Sequence, residues 1–255
     1  MNLPAPTSLR DRLGGAVIGT FLKSPSYHNA EILGEAGLDY IVVDAEHAPF
    51  GPAALDMISL AARSVDLPML VRIATLDAAA INTCLDLGAQ GIMVPHVRSR
   101  AEAEKAVAAT RYGLGRGFSP STRAGGYGSL GARAYRDRAA ATTTVWAQIE
   151  DGEALAALDS IATVDGIDCL FVGRADLALS LGVQDPADPL ILDALHRVAD
   201  AAGRANCAAG IFISTPGEIA ALKAIGYTAF VCGSDQSLLM EQGKRLRIQI
   251  ETMRP

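Results

Sequence analysis

Asp44-Ala45-Glu46-His47, Arg72, His96, Glu150 and Asp176 are the residues of this 255-residue chain whose types and spacing could do chemistry. Each closes or closely follows a short apolar run, and together they offer a proton shuttle, an anion-binding guanidinium and carboxylates suited to a hard cation. Glu150 ends one run and Asp176 follows the next. One carboxylate in such a place is usually a helix cap or surface group. Two on neighbouring strands can hold Mg2+ or Mn2+, which take one or two carboxylates and leave other octahedral positions to water and substrate oxygens, two of which a 2-oxo acid could fill. His47 is either an exposed loop histidine or a proton shuttle oriented by Asp44 or by Asp86. Arg72 lies inside an apolar run, where a guanidinium must find a partner; it either pairs with a buried carboxylate or faces a cavity and stabilises a developing oxyanion.

The elements that must position these groups are eight apolar runs, at 16–22, 39–44, 69–73, 91–96, 144–149, 167–173, 208–213 and 228–233, most of them separated by amphipathic stretches of helical length. Ser24-Pro25 reads as an N-cap and first helical position, Gly37 as a left-handed C-cap, and Leu55, Ile58 and Ala62 as an apolar helical stripe behind Gly51-Pro52. Further helices start near Asp77 and after Ser99. Strands joined by helices run parallel, and eight in one chain of this length predict a (β/α)8 TIM barrel filling residues 1–255 as a single domain, with chemistry at the carboxyl ends of the strands.

Composition narrows the partners. A formal net charge of −6 gives no basic face for nucleic acid or an anionic membrane, and the apolar runs are far shorter than the roughly 20 residues of a bilayer span, so small polar substrates are expected. Pro4, Pro6 and the charged Arg10-Asp11-Arg12 do not resemble a signal peptide. With four dispersed cysteines and no Cys-x-x-Cys pair, a reducing cytoplasm is expected and a zinc or iron–sulfur site is not.

Lysine placement argues against one mechanism. An imine-forming aldolase needs a lysine in or at the end of a strand, whereas Lys105, Lys223 and Lys244 fall in predicted helices and Lys23 immediately precedes a helix cap, so an enolate held by a metal is favoured. Gly113-Leu114-Gly115-Arg116-Gly117 follows no strand and is no dinucleotide loop. Gly233-Ser234 either approaches a phosphate or simply ends the last strand. Residues 111–137, rich in glycine and arginine, break the alternation; they form either a surface excursion or subunit contact, or a flap whose arginines attract an anion.

Taken in order, Ser24-Pro25, Val43-Asp44-Ala45-Glu46-His47, Val71-Arg72, Leu85-Asp86-Leu87-Gly88-Ala89, Gly91-Ile92-Met93-Val94-Pro95, Arg111-Tyr112, Gln148-Ile149-Glu150 and Val172-Gly173-Arg174-Ala175-Asp176-Leu177 resemble the HpcH/HpaI aldolase family, class II pyruvate aldolases with a barrel of the phosphoenolpyruvate/pyruvate type. The resemblance implies a divalent metal (Mg2+, Mn2+ or Co2+) on Glu150 and Asp176, His47 as acid–base group tuned by Asp86, and Arg72 on the oxyanion. It also implies pyruvate held by Gln148 and the backbone of Gly173 and Ala175, Phe212 beside the aldehyde, and a homo-hexamer built as a trimer of dimers that exchange a terminal helix. The implied reaction cleaves a 4-hydroxy-2-oxo acid to pyruvate, or an analogue, and an aldehyde. The alternatives are a related lyase or decarboxylase of a dicarboxylic acid or CoA thioester, and a non-catalytic barrel. Two departures from the family pattern, Arg174 and Gly113-Leu114-Gly115 where proline is usual, bear on the substrate; Arg174 could read a second anionic group.

Overall fold

Eight parallel strands hydrogen-bond in sequence order and close on themselves in the computed structural model, which describes residues 8–185 and 187–254. They are β1 (Val17–Leu22), β2 (Tyr40–Asp44), β3 (Met69–Arg72), β4 (Gly91–Val94), β5 (Thr144–Ile149), β6 (Cys169–Val172), β7 (Ala208–Ile213) and β8 (Tyr227–Ser234). Around them run α1 (Leu9–Arg12), α2 (Tyr27–Glu35), α3 (Pro52–Ser64), α4 (Ala78–Asp86), α5 (Arg100–Thr110), α6 (Ala132–Thr142), α7 (Gly152–Ala156), α8 (Leu158–Ala162), α9 (Arg174–Leu181), α10 (Pro189–Ala205), α11 (Ile219–Ala224) and α12 (Asp235–Thr252). Every predicted apolar run contains a strand. The fourth run stops short because Pro95 offers no backbone N–H and His96 turns to φ 52°.

Side chains on the strands alternate between two cores. Those pointing outward pack with the helices, as Ile41, Val43, Val71, Ile92, Val145, Leu170 and Ile211 do. The inward set, Val17, Phe21, Tyr40, Val42, Leu70, Met93, Trp146, Phe171 and Val231, fills the barrel, joined by Leu9 and Leu13 from the α1 segment. The interior is therefore packed rather than open, and chemistry is left to the next inward positions along each strand.

Local signals explain most helix starts. Asp77 accepts the backbone N–H groups of Ala79 and Ala80, Ser99 that of Glu102, and Pro52 stands at the first turn of α3. Gly37 takes the left-handed φ of 84° expected of it. The expected cap at Ser24 is corrected: α2 begins at Tyr27 after Ser26, because the N–H groups of Lys23 and Ser24 are claimed by the Asp235 carboxylate at 2.8 and 3.1 Å.

Candidate functional site

Counting in twos from the packed interior leads to the site: Phe21 to Lys23, Val42 to Asp44 and Glu46, Leu70 to Arg72, Trp146 to Gln148 and Glu150, and Phe171 to Gly173. These groups stand at the carboxyl ends of β1, β2, β3, β5 and β6. They fall into two clusters.

On the β1–β3 side, Asp44 is fully buried and accepts Arg72 Nε at 3.0 Å and Nη2 at 2.7 Å, a bidentate pair. The His47 backbone N–H donates to the same carboxylate at 3.1 Å, and Lys23 Nζ lies 3.1 Å from it. Burial alone would raise the Asp44 carboxyl, but the hydrogen bonds and charge of Arg72, with His47 and Lys23 adding to them, hold it below its ordinary value. Glu46 Oε2 stands 3.2 Å from Arg72 Nε yet receives no hydrogen bond, since that N–H is aimed at Asp44. The guanidinium rests over the Phe21 ring, 4.6 Å from its centroid. Asp44 takes Nε and Nη2, which leaves Nη1 without a hydrogen-bond partner among the described residues.

The β5–β6 side is built differently. Glu150 is buried, accepts the His96 backbone N–H at 2.8 Å through Oε1, and touches Gln148 Nε2 through Oε2. The turn at His96 is what aims that N–H inward. Burial pushes the Glu150 carboxyl up and the nearby charge of Asp176 pushes it further, against the pull of His96 and Gln148. Asp176 sits half-buried in the first turn of α9, and Gln148 Oε1 is buried with no partner. A Cβ on Gly173 would come within 2.5 Å of Glu150 Oε2 and 2.9 Å of Gln148 Nε2, so only glycine leaves the floor of this corner open. Two mutually repelling carboxylates beside an orphaned amide oxygen are the donor set of a hard divalent ion, and the residues fit that group. Among the described residues no three or more His, Cys, Asp or Glu are grouped so as to hold a metal by themselves, so such an ion would draw its remaining donors from water and substrate.

A model of the HpcH/HpaI aldolase/citrate lyase family matches residues 17–241. The chain belongs to that family. It is 34% identical over 242 residues to a 2-dehydro-3,6-dideoxy-6-sulfogluconate aldolase of Pseudomonas putida, covering 92% of this chain and 93% of that protein. A 4-hydroxy-2-oxovalerate aldolase of Rhodococcus jostii (strain RHA1) is 39% identical over 245 residues, 91% of each chain. The crystal structure of an HpcH/HpaI aldolase/citrate lyase family protein from Burkholderia cenocepacia J2315 superposes with a TM-score of 0.89 at 30% identity, covering 95% of this chain and 98% of that one. The enzyme is accordingly an aldolase of the HpcH/HpaI family, a carbon–carbon lyase.

Several residues stand elsewhere than their types and spacing suggest. Asp86 makes no hydrogen bond or ion pair with His47 among the described residues. It ends α4, which carries the chain back from the carboxyl rim by about 13 Å at 1.5 Å per residue, and its carboxylate binds Arg116 at 3.0 Å and Asn82 at 3.4 Å. His47, with its side chain about half exposed, instead has Glu46 Oε2 at 3.7 Å from Nε2, and Asp44 orients only its backbone. Arg174 is tied to neighbouring elements: Nη2 lies 2.7 Å from Glu218 Oε2 and donates to the Phe212 carbonyl at 3.0 Å. Ala175 is exposed at the start of α9, and Phe212 lies half-buried with its ring 5.9 Å from that of Phe21.

Three arginines of the 111–137 segment are bound to the scaffold, Arg111 to the Thr143 carbonyl, Arg116 to Asp86 and the Tyr135 hydroxyl, and Arg123 to Asp56, while Arg133 and Arg136 are exposed. Sequence reasoning names Glu46 among the strand-end groups without giving it a role, and sets Lys23 aside as the residue before a helix cap; the site contains both. Period-two counting from Phe21 and Asp44 finds both.

Proposed function

We propose that this aldolase uses a divalent ion (Mg2+, Mn2+ or Co2+) held by Glu150 and Asp176 to cleave a 4-hydroxy-2-oxo acid into pyruvate, or a pyruvate analogue, and an aldehyde. One observation carries the reading: the buried Glu150 carboxylate stands near the charge of Asp176 with no lysine or arginine paired to either among the described residues, only the His96 imidazole 3.3 Å from Glu150, while Gly173 keeps the adjoining corner clear. When bound, the ion supplies Lewis acidity to the oxygens of the 2-oxo acid.

The chain's own residues supply the rest. Gln148 and the unpaired first-turn N–H groups of α9, at Arg174, Ala175 and Asp176, can orient the pyruvate carboxylate. His47 takes the proton of the C4 hydroxyl, the C3–C4 bond breaks, and the aldehyde leaves past Phe212. The electron pair remains on C3 as the enolate, whose oxygen faces Arg72. Condensation runs these steps in reverse. Lys23 does stand at a strand end, but it is engaged as a cation with Asp44, which supports the enolate route over an imine. Borohydride added with pyruvate should leave Lys23 unmodified.

We extend the reading to the whole chain as one barrel domain, to a homo-hexamer arranged as a trimer of dimers, and to the cytoplasm. Assembly is supported by the exposed apolar side chains of α12, Leu239, Met240, Leu246 and Ile248 among them. Among the described residues no helix is long and apolar enough to cross a membrane, and small molecules rather than nucleic acid fit the net charge. The alternative of a decarboxylase or dicarboxylate lyase loses its main support with Arg174 tied to Glu218. Chelation should abolish both aldol cleavage and proton exchange at the pyruvate methyl, with Mn2+ restoring both. Full activity in excess chelator would refute the metal assignment.

A further inference from the structure

Lys23 is the one cation of the β1–β3 cluster to which the reaction just described gives no part in the chemistry. Its backbone is held from below: Asp235, the first residue of α12, accepts the N–H groups of Lys23 at 2.8 Å and Ser24 at 3.1 Å and the Asn29 amide at 2.9 Å. Its ammonium stands 3.1 Å from Asp44 Oδ2 and 5.9 Å from the centroid of the Phe21 ring, on which Arg72 also rests. Asp44 already accepts both Arg72 donors and the His47 N–H, so Lys23 is not needed to satisfy it. An ammonium has three donors. Asp44 is the single acceptor of Lys23 Nζ among the described residues, and the side chain keeps 29% exposure at the mouth.

We propose that Lys23 selects the acceptor: its ammonium binds a carboxylate carried on the carbonyl carbon of the incoming aldehyde, as in glyoxylate. The inference rests on the aldolase reading and adds to it the class of the second substrate. Length follows from placement. Lys23 and Arg72 share one carboxylate and one aromatic ring, so an anion on Lys23 lies beside the reacting carbonyl and not at the end of a long chain. Phe212, in ring contact with Phe21, lines the same side.

The anion is a carboxylate rather than a phosphate, because the corner after β8 where a barrel would seat a phosphate already holds the buried carboxylate of Asp235. Asp235 fills the corner between the β1 and β8 ends, and the Ser234 N–H is bound to Ser237 Oγ at 2.8 Å. The condensation balances without a redox partner. The pyruvate methyl carbon loses a proton and bonds to the glyoxylate carbonyl carbon, whose oxygen gains a proton, giving 4-hydroxy-2-oxopentanedioate.

The test compares condensation of pyruvate with glyoxylate and with acetaldehyde, which differ by a carboxylate against a methyl group, in the metal-loaded enzyme and its Lys23→Met and Lys23→Arg variants. In Lys23→Met the ratio of kcat/KM for glyoxylate to that for acetaldehyde should fall about 10-fold or more, the loss expected of one charge-assisted hydrogen bond, mainly through KM for glyoxylate. Lys23→Arg should restore most of the ratio, and thermal melting checks that each variant is folded. An equal fall for both aldehydes in folded Lys23→Met overturns the proposal and leaves the aldolase reading intact. A wild-type preference for glyceraldehyde 3-phosphate over glyoxylate overturns it as well. Condensation with no aldehyde at all overturns the reading and the proposal together.

Discussion

The β1–β3 and β5–β6 sides of the rim are made from similar residues but stand in opposite electrostatic states. Asp44 and Glu46 are matched by Arg72 and Lys23, and the Asp44 carboxyl is held below its ordinary value. Glu150 and Asp176 pair with no lysine or arginine among the described residues; the basic group beside Glu150 is the His96 imidazole, Nδ1 3.3 Å from Oε1, and burial still pushes the Glu150 carboxyl up. One side is complete as folded; the other is strained by its own charge and would be relieved by a cation from outside. A catalytic rim can thus be divided into a part that stabilises the fold and a part that the fold tolerates for the sake of a ligand, and the two respond oppositely to neutralisation.

His47 tests the comparison hardest, because it is the loosest member of the complete side. His47→Ala should lower aldol cleavage by about 10²–10⁴-fold, the range for a general base, while oxaloacetate decarboxylation, which needs no base at a C4 hydroxyl, survives better. Equal loss of both activities would make His47 structural. Arg72→Met should reduce both by about 10²–10³-fold. It should also leave Asp44 buried without its main counter-charge, at a cost of about 3–5 kcal/mol and a melting temperature lower by roughly 10 °C. A variant that melts like the wild type would show that the ion cluster is not the prop it looks to be.

Glu150→Gln should act in the other direction. With metal removed it should melt no lower than the wild type, because a buried charge has been neutralised, yet Mn2+ should no longer raise its melting temperature. The pH dependence follows from the sign of the shift. A carboxyl raised in the folded state binds its proton more tightly there, so the metal-free protein gains stability from this group as pH falls through the folded value, and metal must displace that proton. The rise in melting temperature produced by Mn2+ should therefore be larger at about pH 8 than at about pH 5.5. A rise independent of pH would mean that the ion binds elsewhere.

The barrel was legible because its signals are local and repeated: eight apolar runs, caps at Asp77 and Ser99, Pro52 at a helix start. At the site, charged residues at strand ends led to Asp44, Arg72, Glu150 and Asp176. Contacts between distant segments were not legible. Nothing near Asp86 announces that Arg116, 30 positions on, will take its carboxylate. Nothing near Ser24 announces that Asp235 will take its N–H and move the start of α2 to Tyr27. Lys23 was readable in principle, since it follows the inward-facing Phe21 by two, but a helix-cap reading of its neighbours hid that parity.

Arg174 marks the smallest expected effect, and it sharpens the contrast with Lys23. Both are cations at strand ends, and from the sequence Arg174, beside the proposed metal site, looked the better reader of an anionic substrate. In the fold Arg174 Nη2 is committed to Glu218 and to the Phe212 carbonyl, whereas the Lys23 ammonium shares the Asp44–Arg72 cluster and keeps donors to spare. Arg174→Ala should leave the glyoxylate-to-acetaldehyde ratio unchanged and cost about 1 kcal/mol or less, as a partly exposed pair does. Arg174 is also the first residue of α9, where proline is tolerated because the N–H has no helical partner. Arg174→Pro should accordingly melt like Arg174→Ala. If it alone weakens pyruvate binding, the backbone N–H at 174 is one of the donors that hold the pyruvate carboxylate. A shift of the acceptor ratio in both variants would instead return Arg174 to the substrate and transfer to it the role assigned to Lys23.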